Sequence, residues 1–251
     1  MGSFVWREPP VHLSIKEGEV HVWRVPLNVS ECHISKLASE LTQGELERAV
    51  RIHNPEQRKS FVVCRGALRQ ILASYLDAPP KSLQFDYGPY GKPALARECR
   101  NGGLQFNLSH ANGMALISVA VNRSIGVDVE VIRTNLDVEV IASRVLSYPE
   151  EQALLALPSD SRREAFFRLW TRKEALVKAV GSGFSFPMKR LSVSLASGAF
   201  TILEWGEIVG VKPVRWCIRP LEPGRCYVAA VAAEGTEWRL ETLQWNGGAA
   251  F

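Results

Sequence analysis

The chain has 251 residues, of which 46% are hydrophobic and 22% charged, and its formal net charge is +4 at pH 7. This length allows one large domain or two smaller ones, each with its own apolar core. The charge is far short of that of a histone-like nucleic-acid binder, so we expect no nucleic-acid partner. The small basic surplus suits an anionic ligand or an acidic partner without identifying either.

Cysteine usage and hydropathy indicate a cytoplasmic protein. The five cysteines are odd in number and none of them forms a C-x-x-C pair, which argues against a disulfide framework or a structural zinc site. The longest apolar run, Met114–Val121 with Ser118 inside it, is too short to cross a bilayer, so we expect no membrane partner. The first residues lack the basic start and the long apolar core of a signal peptide.

The first third of the chain predicts one strand and then helices. Val20–Val25 is rich in β-forming residues, and Pro26 after it favours an edge position in a sheet. Thr42 and Glu45 have capping-box spacing, which starts a helix. The predicted helices cover residues 30–41, 42–52 and 54–75.

These helices are rich in basic side chains, which permit two interpretations. The residues are Arg48, Arg51, Arg58, Lys59, Arg65 and Arg69. They form either a solvated helix face with some ion pairs or a patch for phosphate groups, to which guanidinium groups bind in a bidentate manner. The sequence pattern favours neither.

The middle of the chain predicts a rigid loop and a hairpin. After a short strand at 83–86, Tyr87–Pro93 has two glycines and two prolines in seven residues, so backbone can approach a ligand closely there, and Lys92 adds a point charge. Strands 104–108 and 114–121 then pair around the turn signal Asn112-Gly113. Ile125–Val131 follows as a third strand.

The second half repeats the order of helices followed by strands. Its predicted helices cover 136–144, 149–157 and a long segment capped by Ser159 or Asp160 that runs to Val180. Gly181 to Gly183 would stop this last helix. Its predicted strands cover 191–195, 200–205, 214–218, 226–233 and 238–243. This order predicts an α+β fold of two lobes, residues 1–123 and 124–251.

Asp128 and Glu130 are candidate metal ligands. Being two positions apart on a strand, they leave the same face, while Val127 and Val129 point the other way. Two carboxylates held this close repel each other, and a divalent cation such as Mg²⁺ removes that cost. The alternative is a solvated strand edge.

The long helix carries a second candidate pair. Glu174 and Lys178 are four apart and share a helix face, which alone is typical of an ordinary surface pair. However, Trp170 one turn earlier and the preceding phenylalanines make the helix too aromatic to be fully exposed. Glu174 is therefore a candidate third ligand or base, and Lys178 a candidate phosphate contact.

Ser109 and His110 lie where the hairpin begins. A lone histidine is more often structural, and the alternative is an imidazole or a hydroxyl beside a phosphate. The sequence contains no P-loop and no Rossmann glycine fingerprint.

Taken together and in order, these segments resemble the motifs of 4′-phosphopantetheinyl transferases of the long, single-chain Sfp type. The matching segments are Gly91–Pro93 (GKP), Phe106–His110 (FNLSH), Ile125–Glu130 (IGVDVE) and Phe167–Lys178 (FRLWTRKEALVK). The resemblance implies two pseudo-twofold α+β lobes with coenzyme A in the cleft between them. It implies transfer of the 4′-phosphopantetheine arm of coenzyme A to a serine of an apo acyl or peptidyl carrier protein, with release of 3′,5′-ADP, by a monomer.

The resemblance also implies roles for individual residues. It assigns Mg²⁺, or Mn²⁺, to Asp128, Glu130 and Glu174, and catalysis to Glu174, Lys178 and His110. Coenzyme A would be bound by Arg48, Tyr87, Gly88, Pro89, Tyr90, Gly91, Lys92, Asn107, Leu108, Ser109, His110, Asp128, Glu174 and Lys178. Lys92 and Ser109 would reach the 3′-phosphate, a task that Arg48 can share, and residues 133–157 would receive the carrier.

Two other functions stay open at this point. One is a Mg²⁺-dependent phosphohydrolase that uses the same carboxylates on a nucleotide. The other is a non-enzymatic protein that binds an anionic ligand, either RNA or an acidic protein, through the arginine-rich helices. The sequence does not distinguish carriers of fatty-acid, polyketide, peptide-synthetase or glycolipid pathways.

Overall fold

The computed structural model describes residues 5–99, 101–181, 187–195, 201–205 and 214–247. These residues form six α-helices and ten strands. The helices are α1 (Glu31–Ser39), α2 (Gln43–Val50), α3 (Pro55–Leu76), α4 (Val138–Val145), α5 (Tyr148–Leu155) and α6 (Ser159–Val180). The strands are β1 (Glu19–Pro26), β2 (Phe85–Tyr87), β3 (Pro93–Leu95), β4 (Leu104–Ala111), β5 (Met114–Val121), β6 (Ile125–Val131), β7 (Thr201–Trp205), β8 (Val214–Leu221), β9 (Tyr227–Glu234) and β10 (Arg239–Gln244). Short 3-10 helices lie at Pro80–Ser82, Arg97–Cys99, Asn101–Gly103 and Met188–Arg190.

Two four-stranded sheets form the frame. The first has the order β10-β1-β5-β4 and the second the order β6-β9-β8-β7, while β2 and β3 form a small separate hairpin. Every pairing in the second sheet is antiparallel, and in the first only β1 and β10 run parallel. The predicted α+β class is therefore confirmed.

The predicted edge position of the first strand is wrong. β1 lies inside its sheet, with β5 on one side and β10 on the other. Pro26 is the last residue of β1, so its missing N–H does not interrupt the pairing with β10, which spans Glu19 to Arg24. The last strand of the chain therefore returns to the first lobe. The division into lobes 1–123 and 124–251 remains a prediction. β10 does not follow it, because this strand lies in the second range but pairs in the first sheet.

The core has three apolar clusters that fix the layers. α3 buries Leu68, Ile71 and Leu72 completely on one face of the first sheet. α6 packs on the second sheet in the same way, with Phe166, Leu169 and Leu176 buried. The remaining faces of the two sheets pack on each other through a third cluster that includes residues of β1, β5, β6 and β9. By this packing the two lobes are joined sheet to sheet.

The structure corrects several local expectations. The predicted strand at 191–195 is irregular, and α6 starts after Pro158 without a side-chain cap from Ser159 or Asp160. β4 runs on to Ala111, so Ser109 and His110 are strand residues. The Asn112-Gly113 turn is confirmed, with φ of 39° and 87° at these residues.

α6 ends at Gly181, where φ is 77°. Gly183, the other glycine of the predicted stop, and residues 248–251 lie outside the described residues. Among the described helices, none is long and apolar enough to span a bilayer.

Candidate active site

The β6 strand holds the two predicted carboxylates at the junction of the lobes. β4 and β6 are edge strands of different sheets that lie side by side. The side-chain oxygen of Asn107 in β4 accepts a hydrogen bond of 2.9 Å from the main-chain N–H of Val127 in β6. Asp128 is 4% exposed, whereas Glu130 is partly exposed and pairs with Arg133 at 2.9 Å. The predicted side-by-side carboxylates are therefore on one strand, the first of them buried.

Gly126 brings α6 into direct contact with this strand. A Cβ atom at Gly126 would overlap the carbonyl oxygen of Ala175 and the main-chain nitrogen of Ala179. The helix backbone therefore lies directly on β6, with no side chain between them. This close approach places the helix face that carries Glu174 and Lys178 beside Asp128.

Three polar side chains from three elements meet at this point. Nζ of Lys178 lies 2.6 Å from Oδ1 of Asp128 and 2.9 Å from Oγ of Ser109. The hydroxyl of Ser109 donates to the same Asp128 oxygen at 2.9 Å. Because Ser109 comes from β4, Asp128 from β6 and Lys178 from α6, the cluster connects both lobes.

The carboxylates of this site influence one another electrostatically. Burial raises the pKa of Asp128, opposed by the Lys178 charge and the Ser109 hydrogen bond, while the Glu130 charge raises it further. Burial also raises the pKa of Glu174, and the charges of Asp128 and Glu130 act in the same direction against Lys178. Glu174 is partly exposed, and in the described part of the chain its carboxylate accepts no hydrogen bond. A carboxylate of this kind is a better proton acceptor near neutral pH than an ordinary one.

The predicted metal ligands do not form a preformed metal site in the described part of the chain. Among the described residues, no group of three or more histidine, cysteine, aspartate or glutamate side chains is placed to hold a metal ion. Oδ2 of Asp128 is nevertheless buried with no hydrogen-bond partner in the described chain. An orphaned carboxylate oxygen beside two further carboxylates fits a hard divalent cation. The assignment of Asp128, Glu130 and Glu174 stays a prediction with this support.

A cavity of about 570 Å³ opens beside the cluster, between the loop before β3 and the end of α6. Its lining residues are Tyr90, Gly91, Lys92, Pro93, Asn107, Leu108, Val145, Trp170, Glu174, Val177, Lys178, Gly181 and Met188. Seven of the predicted coenzyme A contacts are therefore brought together. Sequence reasoning missed Val145, Val177 and Met188 as wall residues. The helical spacing of Trp170, Glu174 and Val177 was a signal that could have found one of them.

The loop at 87–92 is closed by its own backbone. The N–H of Gly88 donates to the carbonyl of Lys92, and the N–H of Gly91 to the carbonyl of Gly88, both at 2.9 Å. Gly91 has φ of 77°, a conformation that favours glycine. Pro89 is exposed, and the rings of Tyr87 and Tyr90 are 50% and 56% exposed. The predicted rigid loop therefore presents two open aromatic rings.

Two residues expected at the 3′-phosphate use their polar atoms within the protein. The ammonium of Lys92 contacts main-chain carbonyl oxygens of β6 and α6, and Ser109 donates to Asp128. Burial lowers the pKa of Lys92 to about 8. His110 is exposed, and partial desolvation together with the Lys178 charge lowers the pKa of its imidazole. The structure leaves the phosphate assignments of all three residues as predictions.

The basic side chains of the arginine-rich helices divide into a buried part and an exposed part, and the phosphate patch stays a prediction. Arg65 and Arg69 are buried and pair with Glu45 at 2.9 and 2.8 Å, so they are structural. Arg48 and Arg51 are exposed and line a second cavity of about 450 Å³. Tyr87 also lines this second cavity, so the loop at 87–92 reaches both cavities.

Comparison with known families matches both halves of the chain. A model of the 4′-phosphopantetheinyl transferase superfamily matches residues 124–232, and one described as 4′-phosphopantetheinyl transferase, N-terminal, matches residues 27–122.

Individual transferases are also similar. The 4′-phosphopantetheinyl transferase HetI of Nostoc sp. (strain PCC 7120) is 37% identical over 239 residues, or 95% of this chain and 98% of that protein. AcpT of Escherichia coli K12 is 37% identical over 113 residues, which cover 45% of this chain and 55% of AcpT. Sfp of Bacillus subtilis strain 168 is 29% identical over 170 residues, which cover 62% of this chain and 72% of Sfp.

Proposed function

The chain belongs to the 4′-phosphopantetheinyl transferase family, and on that premise we propose that its inter-lobe cleft transfers phosphopantetheine from coenzyme A to a serine of an apo carrier protein. The observation that carries the proposal is the cavity of 570 Å³, whose wall includes Glu174 and Lys178, with the ammonium of Lys178 bound to the buried Asp128 behind it. A phosphate-bearing substrate needs positive charge and a proton acceptor at one place, and these residues supply both.

The cavity suits a molecule with a charged end and a less polar arm. Leu108, Val145 and Val177 provide apolar wall, and Trp170 adds an aromatic surface. Lys178 and the exposed Tyr90 of the loop add polar groups to the same wall. The exposed Arg48 and Arg51 of the second cavity offer bidentate contacts for the adenosine phosphate.

The reaction that we propose breaks one bond and forms one. The serine oxygen of the carrier attacks the phosphorus that bears pantetheine, and the bond from that phosphorus to the bridging pyrophosphate oxygen breaks, so 3′,5′-ADP leaves. The serine proton passes to the Glu174 carboxylate, whose raised pKa suits it to accept a proton at neutral pH. Lys178 stabilises charge on the phosphates, and His110, whose pKa is lowered by burial and by the Lys178 charge, would assist it there.

Asp128, Glu130 and Glu174 would hold Mg²⁺ in this site, with Mn²⁺ as the alternative ion. The bound ion would supply positive charge for the pyrophosphate oxygens. The support is the orphaned Oδ2 of Asp128, together with the charge of Glu130, which raises the pKa of Asp128 and of Glu174. We expect that Mg²⁺ added to the substrate-free protein raises its melting temperature and that Asp128→Asn removes this increase. An equal increase in wild type and variant contradicts the assignment.

The carrier would dock on α4 and α5. Val140 and Tyr148 are 51% and 74% exposed there, and Leu155 is 39% exposed. Arg133 and Arg144 are exposed beside them and suit an acidic partner. Exposed apolar side chains with a basic border are typical of a protein-binding surface.

We also propose that the protein acts as a monomer in the cytoplasm. Both walls of the cleft come from one chain, so the site needs no second copy. All five cysteines are free, which suits a reducing compartment.

A mass-shift assay tests the proposed reaction. Purified protein, coenzyme A and Mg²⁺ are incubated with a panel of apo acyl and peptidyl carrier proteins, and intact mass is measured. We expect one carrier or more to gain the mass of one phosphopantetheine, with release of 3′,5′-ADP. Release of phosphate without any carrier gaining mass contradicts transfer and indicates a phosphohydrolase.

Variants in the same assay test the assigned residues. Asp128→Ala and Glu174→Ala should lower turnover by about 10²-fold or more, since each removes a group that acts on the reacting atoms. Glu164→Ala is the matched control, because Glu164 lies on the same helix in an exposed pair with Arg168. Normal turnover in either site variant contradicts its role.

A further inference from the structure

We propose that Lys92 is a latch between the lobes, a positioning residue that fixes the end of α6 against β6, and not a ligand of the coenzyme A phosphates. The proposal rests on the proposed transfer reaction for its functional consequence. Its structural part concerns the substrate-free protein alone.

The contacts of the ammonium group carry the proposal. Nζ of Lys92 lies 2.6 Å from the carbonyl oxygen of Lys178, 3.2 Å from that of Ile125 and 3.4 Å from that of Ala179. An ammonium has three N–H donors, and three acceptors surround this one. All three acceptors belong to the second lobe, whereas Lys92 belongs to a loop of the first.

The acceptors are carbonyl groups that need a partner. The last four carbonyls of an α-helix have no partner within the helix. At the end of α6, the N–H of Gly181 satisfies the carbonyl of Val177, and Lys178 and Ala179 are the next two residues. A cation at this end also interacts favourably with the helix dipole. Lys92 therefore replaces the missing helical donors from outside the helix.

The position of the latch links it to the reacting groups. It holds the main-chain carbonyl of Lys178, whose own side chain reaches Asp128 and Ser109. It also holds the first residue of β6, three positions before Asp128. The closed backbone of the loop, with its 2.9 Å bonds from Gly88 and Gly91, keeps the Lys92 main chain in place. Loss of the latch should therefore displace Lys178 relative to Asp128.

The experiment compares Lys92→Met with Lys81→Met, which removes an exposed lysine of the same lobe. In the substrate-free protein, Lys92→Met should lower the melting temperature by roughly 4 to 8 °C, because buried carbonyls lose charge-assisted bonds. Amide hydrogen exchange should accelerate at the last turn of α6 and the start of β6. Lys92→Arg should restore part of the melting temperature, and Lys81→Met should leave both measurements unchanged.

Substrate discrimination separates a latch from a phosphate ligand. Coenzyme A and 3′-dephospho-coenzyme A are compared by kcat/KM. We expect Lys92→Met to lower kcat about tenfold for both substrates and to keep their ratio within about twofold of wild type. The latch is overturned if, in Lys92→Met, the ratio of kcat/KM for coenzyme A to that for 3′-dephospho-coenzyme A falls towards one while the melting temperature and the amide hydrogen exchange stay unchanged.

The melting temperature and the hydrogen exchange test the latch even if the transfer assay gives no signal. If wild type transfers no phosphopantetheine, the proposed function fails, while melting and exchange still test the latch. If Lys92→Met does not fold, Lys92→Gln, which keeps two N–H donors, replaces it in every measurement.

Discussion

The ammonium of Lys178 lies 2.6 Å from Oδ1 of Asp128, although the two residues are 50 positions apart. Asp128 is almost fully buried, so Lys178→Met leaves a buried carboxylate without its cation. We expect the free energy of unfolding to fall by about 2 kcal/mol, measured by urea unfolding. Lys59→Met is the control, since Lys59 and Glu31 also lie 2.6 Å apart but are exposed, and loss of their pair should lower the free energy of unfolding much less. Equal losses in the two variants would show that burial is not the cause.

Gly126→Ala should separate α6 from β6. The new methyl group would overlap main-chain atoms of Ala175 and Ala179, which cannot move without shifting the helix. We expect a loss of about 1–3 kcal/mol in the free energy of unfolding, together with lower turnover. Gly44→Ala is the control, because in the described part of the chain a Cβ atom at Gly44 would come within 4 Å of no atom beyond its own stretch of α2, and alanine favours a helix by about 1 kcal/mol. Similar changes at both positions would contradict the close approach.

Lys173, next to Glu174 in the chain, should be structural. It is fully buried, pairs with Glu150, and donates to the carbonyl of Leu191 at 2.8 Å. Lys173→Met leaves Glu150 uncompensated and should cost about 3–5 kcal/mol of unfolding free energy. Arg168→Met, which breaks an exposed i,i+4 pair, should cost only about 0.3–0.5 kcal/mol. A stable Lys173→Met protein that has lost turnover would instead indicate a role at the substrate.

His21 should make stability depend on pH. Desolvation lowers the pKa of this buried imidazole, which contacts the Tyr75 hydroxyl at 2.8 Å, while the charges of Glu19 and Glu241 oppose the shift and Arg239 adds to it. Between the lowered value and 6.5, the ordinary value, the unfolded chain binds a proton that the native protein does not. The contribution of His21 to the free energy of unfolding is therefore fully present above pH 6.5. It decreases as the pH falls from 6.5 to the lowered pKa.

The measurement compares urea unfolding of wild type and His21→Asn at pH 7.5 and 5.5. We expect a smaller loss between the two pH values in the variant, because it lacks the titrating ring. His12→Asn changes an exposed histidine and should behave like wild type. An identical pH dependence in His21→Asn and wild type would exclude His21 as the source.

Four of the five cysteines should fall into two reactivity classes, and the half-buried Cys99 belongs to neither. Cys32 and Cys226 are exposed, whereas Cys64 and Cys217 are buried. Burial raises the pKa of the Cys64 thiol to about 12, which suppresses its reactive thiolate. With Ellman's reagent at pH 8, Cys32 and Cys226 should react fast, and Cys64 and Cys217 only after unfolding. Cys32→Ser and Cys226→Ser should each remove one fast thiol, and rapid labelling of Cys64 in native protein would contradict the packing.

Much of the fold followed from local patterns. The capping box of Thr42 and Glu45, the Asn112-Gly113 turn and the α6 stop at Gly181 are confirmed because each depends on residues close in sequence. The place of β10 beside β1 did not follow, because pairing between the two ends of the chain has no local signal. The edge position inferred from Pro26 was wrong for the same reason.

The order of residues alone determined the family, the α+β class and the types of side chain available for chemistry, since motif spacing and periodicity are properties of the sequence. Only the tertiary structure decided which of those side chains meet. It set Lys178 on Asp128, placed Lys92 on the carbonyls of α6 and buried Arg65 and Arg69 as partners of Glu45. The physical reason is that these contacts depend on how closely α6 approaches β6 and how the lobes join, and both are set by packing between segments far apart in sequence.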